Sequence, residues 1–338
     1  MPGAGMNQNY KRVSLDMGVC GKLKNIFPWQ PAKVTGVIPQ GDMPGDQAQG
    51  FGDLGPKAET VFKELTRLLQ ETVTTNKYER AVVSVCGGSG TGKTGIASLL
   101  SYYLAQNGIG SYTLSGDNYP YRIPVYNDAE RLMVFRRAAL QGMVEAGEYT
   151  KDRFKQVQIW QEHDVDADTS YIEKNPWFAS YIEAGKEALK HYLGTGREIA
   201  FDEVNSIIRA FKDGASAIWL KKMGRTSSEC WYDQVDFSNI NILVIEWTHG
   251  NSDYLEGIDI PVFLNSTPEE TLEHRRKRGR DSGVDSPFTT MVLDIEQRLL
   301  HSQAHKAKII LSKAGKILSY KEYMELMEKG QEGGNKNE

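Results

Sequence analysis

Eight consecutive residues carry the most legible chemistry in this chain: Gly87-Gly-Ser-Gly-Thr-Gly92-Lys93-Thr94. They fit the spacing G-x4-G-K-[ST] at every position. Glycines at these intervals let backbone N–H groups turn inward around phosphate oxygens. Gly87, Gly88, Ser89, Gly90, Thr91 and Gly92 would form the wrap, Lys93 would reach the β- and γ-phosphates, and the Thr94 hydroxyl suits Mg2+. Two carboxylates complete the set. Asp117 closes the segment Tyr112-Thr-Leu-Ser-Gly116 and is placed to accept a proton from an attacking hydroxyl. Glu246 follows the apolar run Ile242–Ile245 and is placed to ligate Mg2+ directly or through water.

These residues work together only if strands and helices gather them. Ala81–Cys86 is apolar and β-branched, the pattern of a buried parallel strand. Ile96, Leu99, Leu100, Tyr103 and Leu104 mark one helix face, stopped near Gly108. Tyr112–Ser115 reads as the next strand. Strand, helix, strand in this order means a right-handed crossover in a mainly parallel sheet. The carboxyl ends of such strands face the ligand crevice, which is where Asp117 falls. Further strands are expected at Ala217–Leu220, Ile240–Ile245, Ile260–Leu264 and Lys308–Leu311. Helices are expected over 57–72, 128–147, 182–193, 201–212, from Pro268, over 293–304 and over 320–328.

The expected organisation has three parts. Residues 1–56 form an irregular N-terminal arm, because Thr35–Pro56 holds six Gly and three Pro. Residues 57–330 form one α/β domain with an insertion over about 131–197. The aromatic residues over 149–181 read as the core of that insertion. Residues 331–338 form a disordered tail.

Composition removes several classes of function. The chain has 338 residues, with 40 Lys+Arg against 44 Asp+Glu and a net charge of -4. That balance argues against a nucleic-acid partner. No apolar run approaches the ~20 residues of a membrane span, and the N-terminus lacks the apolar core of a signal peptide. Cys20, Cys86 and Cys230 are odd in number and far apart, which points to a reducing, cytoplasmic compartment. His301 and His305 lie four apart without the other ligands a zinc site needs.

Several segments resemble the uridine kinase and phosphoribulokinase family of small-molecule kinases. Asp117-Asn-Tyr-Pro-Tyr-Arg122 looks like that family's Asp-Ser-Phe-Tyr-Arg segment with one extra residue. Ala200-Phe-Asp202 with Ile207–Gly214 resembles its Ala-Phe-Asp helix. Ile242–Glu246 resembles the strand that bears its acidic residue, with Trp247 where Gly is usual. Ile260–Leu264 with His274-Arg-Arg-Lys-Arg-Gly-Arg-Asp281 resembles its strand and arginine-rich lid. The likeness covers about residues 80–125 and 198–312, in family order. Gly116-Asp117-Asn118 is also similar to a segment of the adenylylsulfate kinases.

The resemblance implies a three-layer P-loop kinase fold with an inserted acceptor region and an Arg-rich lid. It implies ATP as donor, Mg2+, and a small-molecule acceptor, a nucleoside such as uridine or a sugar. Lys93 and Asp117 would be catalytic. Arg276 and Arg280, four apart on one helix face, would close over the triphosphate. Tyr119, Tyr121 and Arg122 follow the base and are expected to line the acceptor pocket, with Arg225 reaching it. Neither a nucleic-acid nor a membrane partner is expected, and a homo-oligomer stays open. The alternatives are an adenylylsulfate kinase and, from another class, a non-catalytic nucleotide-binding regulator. A guanine-specific switch is excluded, since neither Asn-Lys pair continues to an Asp two residues on.

Overall fold

The computed structural model describes residues 18–31, 41–42, 54–226, 228–266 and 286–334. Its centre is β1 (Ala81–Gly87), buried at all seven positions. A strand covered on both faces reads as a continuous apolar run, as this one does. β1 is paired in parallel with β5 (Ile242–Glu246) on one side and β6 (Ile260–Leu264) on the other. β2 (Ser111–Ser115) adds to β5, and β7 (Ile309–Leu311) adds to β6. β8 (Ile317–Leu318) closes that edge antiparallel, giving the order β2-β5-β1-β6-β7-β8.

Helices cover both faces. Ala81, Val83 and Val85 pack towards α2 (Gly55–Thr75) and α3 (Lys93–Gln106). Val82, Leu243 and Ile245 point the other way, into α7 (Phe201–Lys212) and the antiparallel hairpin of β3 (Ala217–Met223) and β4 (Cys230–Asp236). Cys86, Phe263 and Ile310 continue this second face under α9 (Tyr320–Gly334). Alternate residues of one strand thus feed two cores, which makes three layers. The fold is the three-layer α/β arrangement expected for a phosphate-loop protein.

The segment without sheet partners is helical, as expected. It contains α4 (Pro124–Glu145), α5 (Lys151–Glu162) and α6 (Phe178–Lys190), and α8 (Pro287–Gln303) packs onto it. Its aromatic residues form a core of their own: Trp160 stacks on Tyr171 at 4.6 Å and Phe178 on Tyr181 at 5.0 Å.

Four boundaries differ from the sequence reading. The arm is not wholly irregular, because α1 (Val19–Lys24) buries Val19 and Leu23 in the first core. The C-terminal helix runs to Gly334, past the expected start of the tail. The strand expected to end at Leu220 continues to Met223 and turns into β4. The helix expected over 293–304 begins earlier, at Pro287. The Ser286 side chain accepts the Thr289 N–H at 3.1 Å with Pro287 at the first helical position, so it caps α8. The helix expected from Pro268, with Arg276 and Arg280, lies outside the described residues.

Arg80 locks the α7–hairpin layer to the start of β1. Its guanidinium donates to the carbonyls of Phe211 (2.7 Å), Ala215 (2.9 Å) and Phe237 (2.8 Å), and lies 4.8 Å over the Phe211 ring. Burial lowers its pKa, yet it stays charged at any working pH. Arg80→Met is expected to orphan the three carbonyls and to lower unfolding stability by about 2–4 kcal/mol in urea titration. The apparent nucleotide affinity of the folded fraction should not change.

Candidate active site

The phosphate loop is built by the end of β1 and the start of α3. Gly92 precedes the helix at φ 90, a left-handed conformation that only glycine adopts cheaply. A Cβ on Gly87 would sit 2.6 Å from the Leu264 carbonyl of the neighbouring strand, so that position also admits only glycine. Inside the loop, the Gly88 carbonyl accepts from Thr91 Oγ1 at 3.0 Å and from Lys93 Nζ at 2.9 Å. Gln297 of α8 lies over Gly88, and its side-chain Nε2 is buried without a partner among the described residues.

Sheet register brings the acidic residues to the same edge. Val85 of β1, Glu246 of β5 and Ser115 of β2 are direct neighbours in one row. Two residues beyond that row lie Gly87 and Asp117. Asp117 sits in a single 3-10 turn, Gly116–Asn118. Trp247 explains the residue before Asp117: any Cβ on Gly116 would collide with the indole ring. The turn is further held by Asp42 of the N-terminal arm. That carboxylate accepts from the Ser115 N–H (3.1 Å), Asn118 Nδ2 (3.4 Å), the Tyr112 hydroxyl and the Lys222 ammonium. Nothing in the composition of the arm marked Asp42.

Asp117 opens onto a cavity of about 280 Å³, lined also by Arg122, Asn127, Arg131, Glu198 and His249. A second cavity, about 490 Å³, begins at Ser89 of the loop and runs between α4 and α8. The two share Asp128, Arg131 and Glu296 as a common wall. Arg131 is the centre of that wall. It binds Glu198 at 2.6 Å and Glu296 at 3.3 Å. Glu198 also accepts from Asn127 Nδ2 (3.0 Å) and from the Gly194 N–H (2.7 Å).

Charges in this wall are tuned by burial and by one another. Burial works to raise the Glu198 pKa, but Arg131 and the Gly194 N–H outweigh it and hold the carboxyl below its usual range. Burial raises the Glu296 carboxyl, although Arg131 opposes the shift. His249 is driven down to about 4 by burial, opposed by Glu198 and reinforced by Arg131 and Lys93. The charge of Lys93 therefore reaches both His249 and Glu296, which ties the phosphate loop electrostatically to the wall between the cavities.

Of the expected acceptor residues, Arg122 lines the first cavity and is steadied by Glu130 (3.5 Å) and the Tyr192 hydroxyl (3.3 Å). Three others do not line it. Tyr119 is wholly buried in the core beneath the turn, because the 3-10 geometry rotates it inward. Tyr121 points to solvent at 57% exposure. Arg225 is exposed in the β3–β4 turn, its backbone N–H bound to Glu229 at 2.7 Å, because β3 is longer than expected. Sequence reasoning missed Asn127, Arg131, Glu198, His249 and Glu296. One signal was present: Asn127 and Arg131 extend the apolar stripe Phe135, Ala139, Met143 of α4 at the same spacing of four, so they share its buried face.

Sheet order and loop define an α/β protein of the phosphate-loop class. Among curated proteins the chain is similar to a bifunctional alpha-galactosidase/sucrose kinase of Mediterraneibacter gnavus, 38% identical over 263 residues. The match takes in 77% of this chain and 23% of the relative, so the chain spans about a quarter of that protein's length. No protein-family model matches the sequence. Solved structures with a similar chain course include a putative fructose transport system kinase from Silicibacter sp. TM1040, 12% identical, covering 66% of this chain and 85% of that one at a TM-score of 0.40. A possible uridine kinase from Bacillus stearothermophilus is 15% identical, covering 73% of this chain and 98% of that one at a TM-score of 0.33. At these values the fold assignment rests on the sheet order and the loop, not on the superpositions.

A buried neutral histidine leaves a mark on stability. The folded His249 pKa lies below the unfolded value of about 6.5, so the unfolded chain takes up the proton first. The stabilisation is complete above pH ~6.5, falls as pH drops from there to about 4, and is level below. It amounts to about 3 kcal/mol. Urea titrations at pH 7, 5.5 and 4 should show wild type losing that much more stability than His249→Gln over the same interval.

Proposed function

We propose that the chain transfers the γ-phosphoryl group of ATP to a hydroxyl of a sugar. The observation that carries this reading is the pair of cavities with one shared wall. One begins at the phosphate loop and the other holds Asp117. Donor and acceptor would then meet end to end, the arrangement that phosphoryl transfer between two bound molecules needs. The similar Mediterraneibacter gnavus protein carries the words sucrose kinase in its name, and the phosphate loop belongs with that half of the name. Sucrose or a related sugar is therefore the preferred acceptor.

The residues present fit a nucleoside triphosphate with Mg2+. The glycines leave a cradle of backbone N–H groups, and Gln297, whose Nε2 has no partner among the described residues, lies beside Gly88. Thr94, in the first turn of α3, and Glu246, beside Val85, would hold Mg2+. When bound, ATP supplies the phosphoryl group and Mg2+ neutralises charge on it. Lys93 would exchange the Gly88 carbonyl for phosphate oxygens. Asp117 would accept the proton of the attacking hydroxyl on its carboxylate. Arg276 and Arg280, outside the described residues, are assigned to closure over the phosphates. Free Cys20, Cys86 and Cys230 support a reducing cytoplasm as the place of work, and no helix among the described residues is long and apolar enough to cross a membrane.

Kinetics with ATP and sucrose test the assignment. Lys93→Ala should nearly abolish transfer. Asp117→Asn should cut kcat by roughly 100-fold or more and leave ATP affinity within a few-fold, as expected for loss of a general base. Full activity in the Asn variant would remove Asp117 from the mechanism, and full activity in the Ala variant would remove the kinase reading.

A further inference from the structure

The cavity beside Asp117 is lined by two polar side chains with hydrogen-bonding capacity left unused among the described residues. Asn127 is 7% exposed, and its Nδ2 is spent on Glu198. Its Oδ1 is buried and has no hydrogen-bond partner among the described residues. His249 is also 7% exposed, and no hydrogen bond to its ring nitrogens is formed among the described residues. Both line the same cavity. Buried polar groups are nearly always paired, and an orphaned one costs about 1–3 kcal/mol. Asn127 Oδ1 is such an atom, and a ligand in this cavity that donates a hydrogen bond would supply its partner.

The rest of the lining says what that ligand is. Four carboxylates, Asp117, Asp128, Glu198 and Glu296, face the cavity against two guanidiniums, Arg122 and Arg131. Both guanidiniums are already engaged, Arg131 by Glu198 and Glu296, and Arg122 by Glu130. Among the described lining residues the carboxylates outnumber the two engaged guanidiniums, which disfavours an anionic acceptor. Asn127 Oδ1 can only accept, so it needs a ligand donor. A neutral imidazole offers one donor and one acceptor. Hydroxyl groups answer both. Trp247, the one Phe, Tyr or Trp among the lining residues, is 2% exposed and packed on Gly116, Phe201 and His249, so it offers no free face for stacking a base.

We propose that Asn127 and His249 read hydroxyl groups of a neutral, unphosphorylated sugar, and that this cavity rejects sugar phosphates, adenylylsulfate and nucleosides. The inference rests on the kinase reading above and names the residues that choose the acceptor. Asn127 Oδ1 accepts a hydrogen bond from one hydroxyl, and the His249 ring bonds a second. Arg131 and Glu198 position Asn127 from behind. Asp117 remains free to act on the hydroxyl that is phosphorylated.

The test is a set of initial rates with ATP and sucrose, fructose, glucose 6-phosphate, adenylylsulfate and uridine. Wild type should turn over a neutral sugar at least 100-fold more efficiently than the two anions or uridine. Asn127→Ala and His249→Phe should each raise KM for the sugar roughly 10-fold, with KM for ATP unchanged, and His249→Gln should recover most of the loss. A purely structural role would lower the active fraction and leave KM alone. In case a variant does not fold, wild-type protein labelled with 15N-histidine gives a second readout: sucrose should shift the ring-nitrogen signals of His249. Unchanged sugar KM in the folded variants, or unmoved His249 signals at saturating sugar, would overturn the pair. Efficient use of glucose 6-phosphate, adenylylsulfate or uridine would overturn the acceptor class. Absence of turnover with every acceptor would fail the kinase reading itself, and the inference with it.

Discussion

Everything functional in this molecule hangs on one row of the sheet. Parallel pairing sets Val85, Glu246 and Ser115 side by side. The three strands run in the same direction, so the residues that follow them emerge at one edge. The phosphate loop, Trp247 and the Asp117 turn are those residues. A one-residue slip of β5 against β1 would send Glu246 to the other face of the sheet and take Trp247 from Gly116. Burial on both faces prevents such a slip, because alternate side chains of β1 and β5 belong to two different cores.

The second support is the ion cluster on Arg131. It joins α4, the segment before α7, and α8, three elements far apart in sequence. Ion pairs this deep gain little net stability, because desolvation offsets most of the attraction, yet removing one member typically costs about 3–5 kcal/mol. The cluster is better understood as geometry. Glu198 is bound on all sides, by Arg131, Asn127 and the Gly194 N–H, so the wall between the two cavities is rigid. The same pairing engages the Arg131 guanidinium and leaves Asn127 and His249 to line the cavity as neutral groups.

How much of this was legible in the sequence follows from how local each feature is. The phosphate loop is eight consecutive residues, and its glycines are dictated by its own backbone. Glu246 and the Asp117 turn could be placed because an apolar run announces a strand and its end announces the crevice. Tyr119 was misplaced because a single 3-10 turn decides whether that ring points into the cavity or into the core, and spacing alone cannot resolve one turn. Arg225 was misplaced because β3 pairs with β4, a partner that lengthens it. The cavity wall was missed because its partners are distant, Arg131 meeting Glu198 across 67 positions and Glu296 across 165. Asp42 is the extreme case. Its segment reads as loop, and only the fold reveals that its carboxylate braces the turn bearing Asp117.

The central claim is spatial: Asp117, at the end of β2, meets the acceptor hydroxyl while the loop after β1 holds the donor. A crystal structure with Mg2+, a non-hydrolysable ATP analogue and sucrose measures this directly. The expected result is triphosphate in the loop with sucrose beside Asp117, one sugar hydroxyl lying about 2.6–3.2 Å from the carboxylate and facing the γ-phosphorus. Sucrose bound away from Asp117, or a carboxylate turned out of the cavity with both ligands in place, would contradict it.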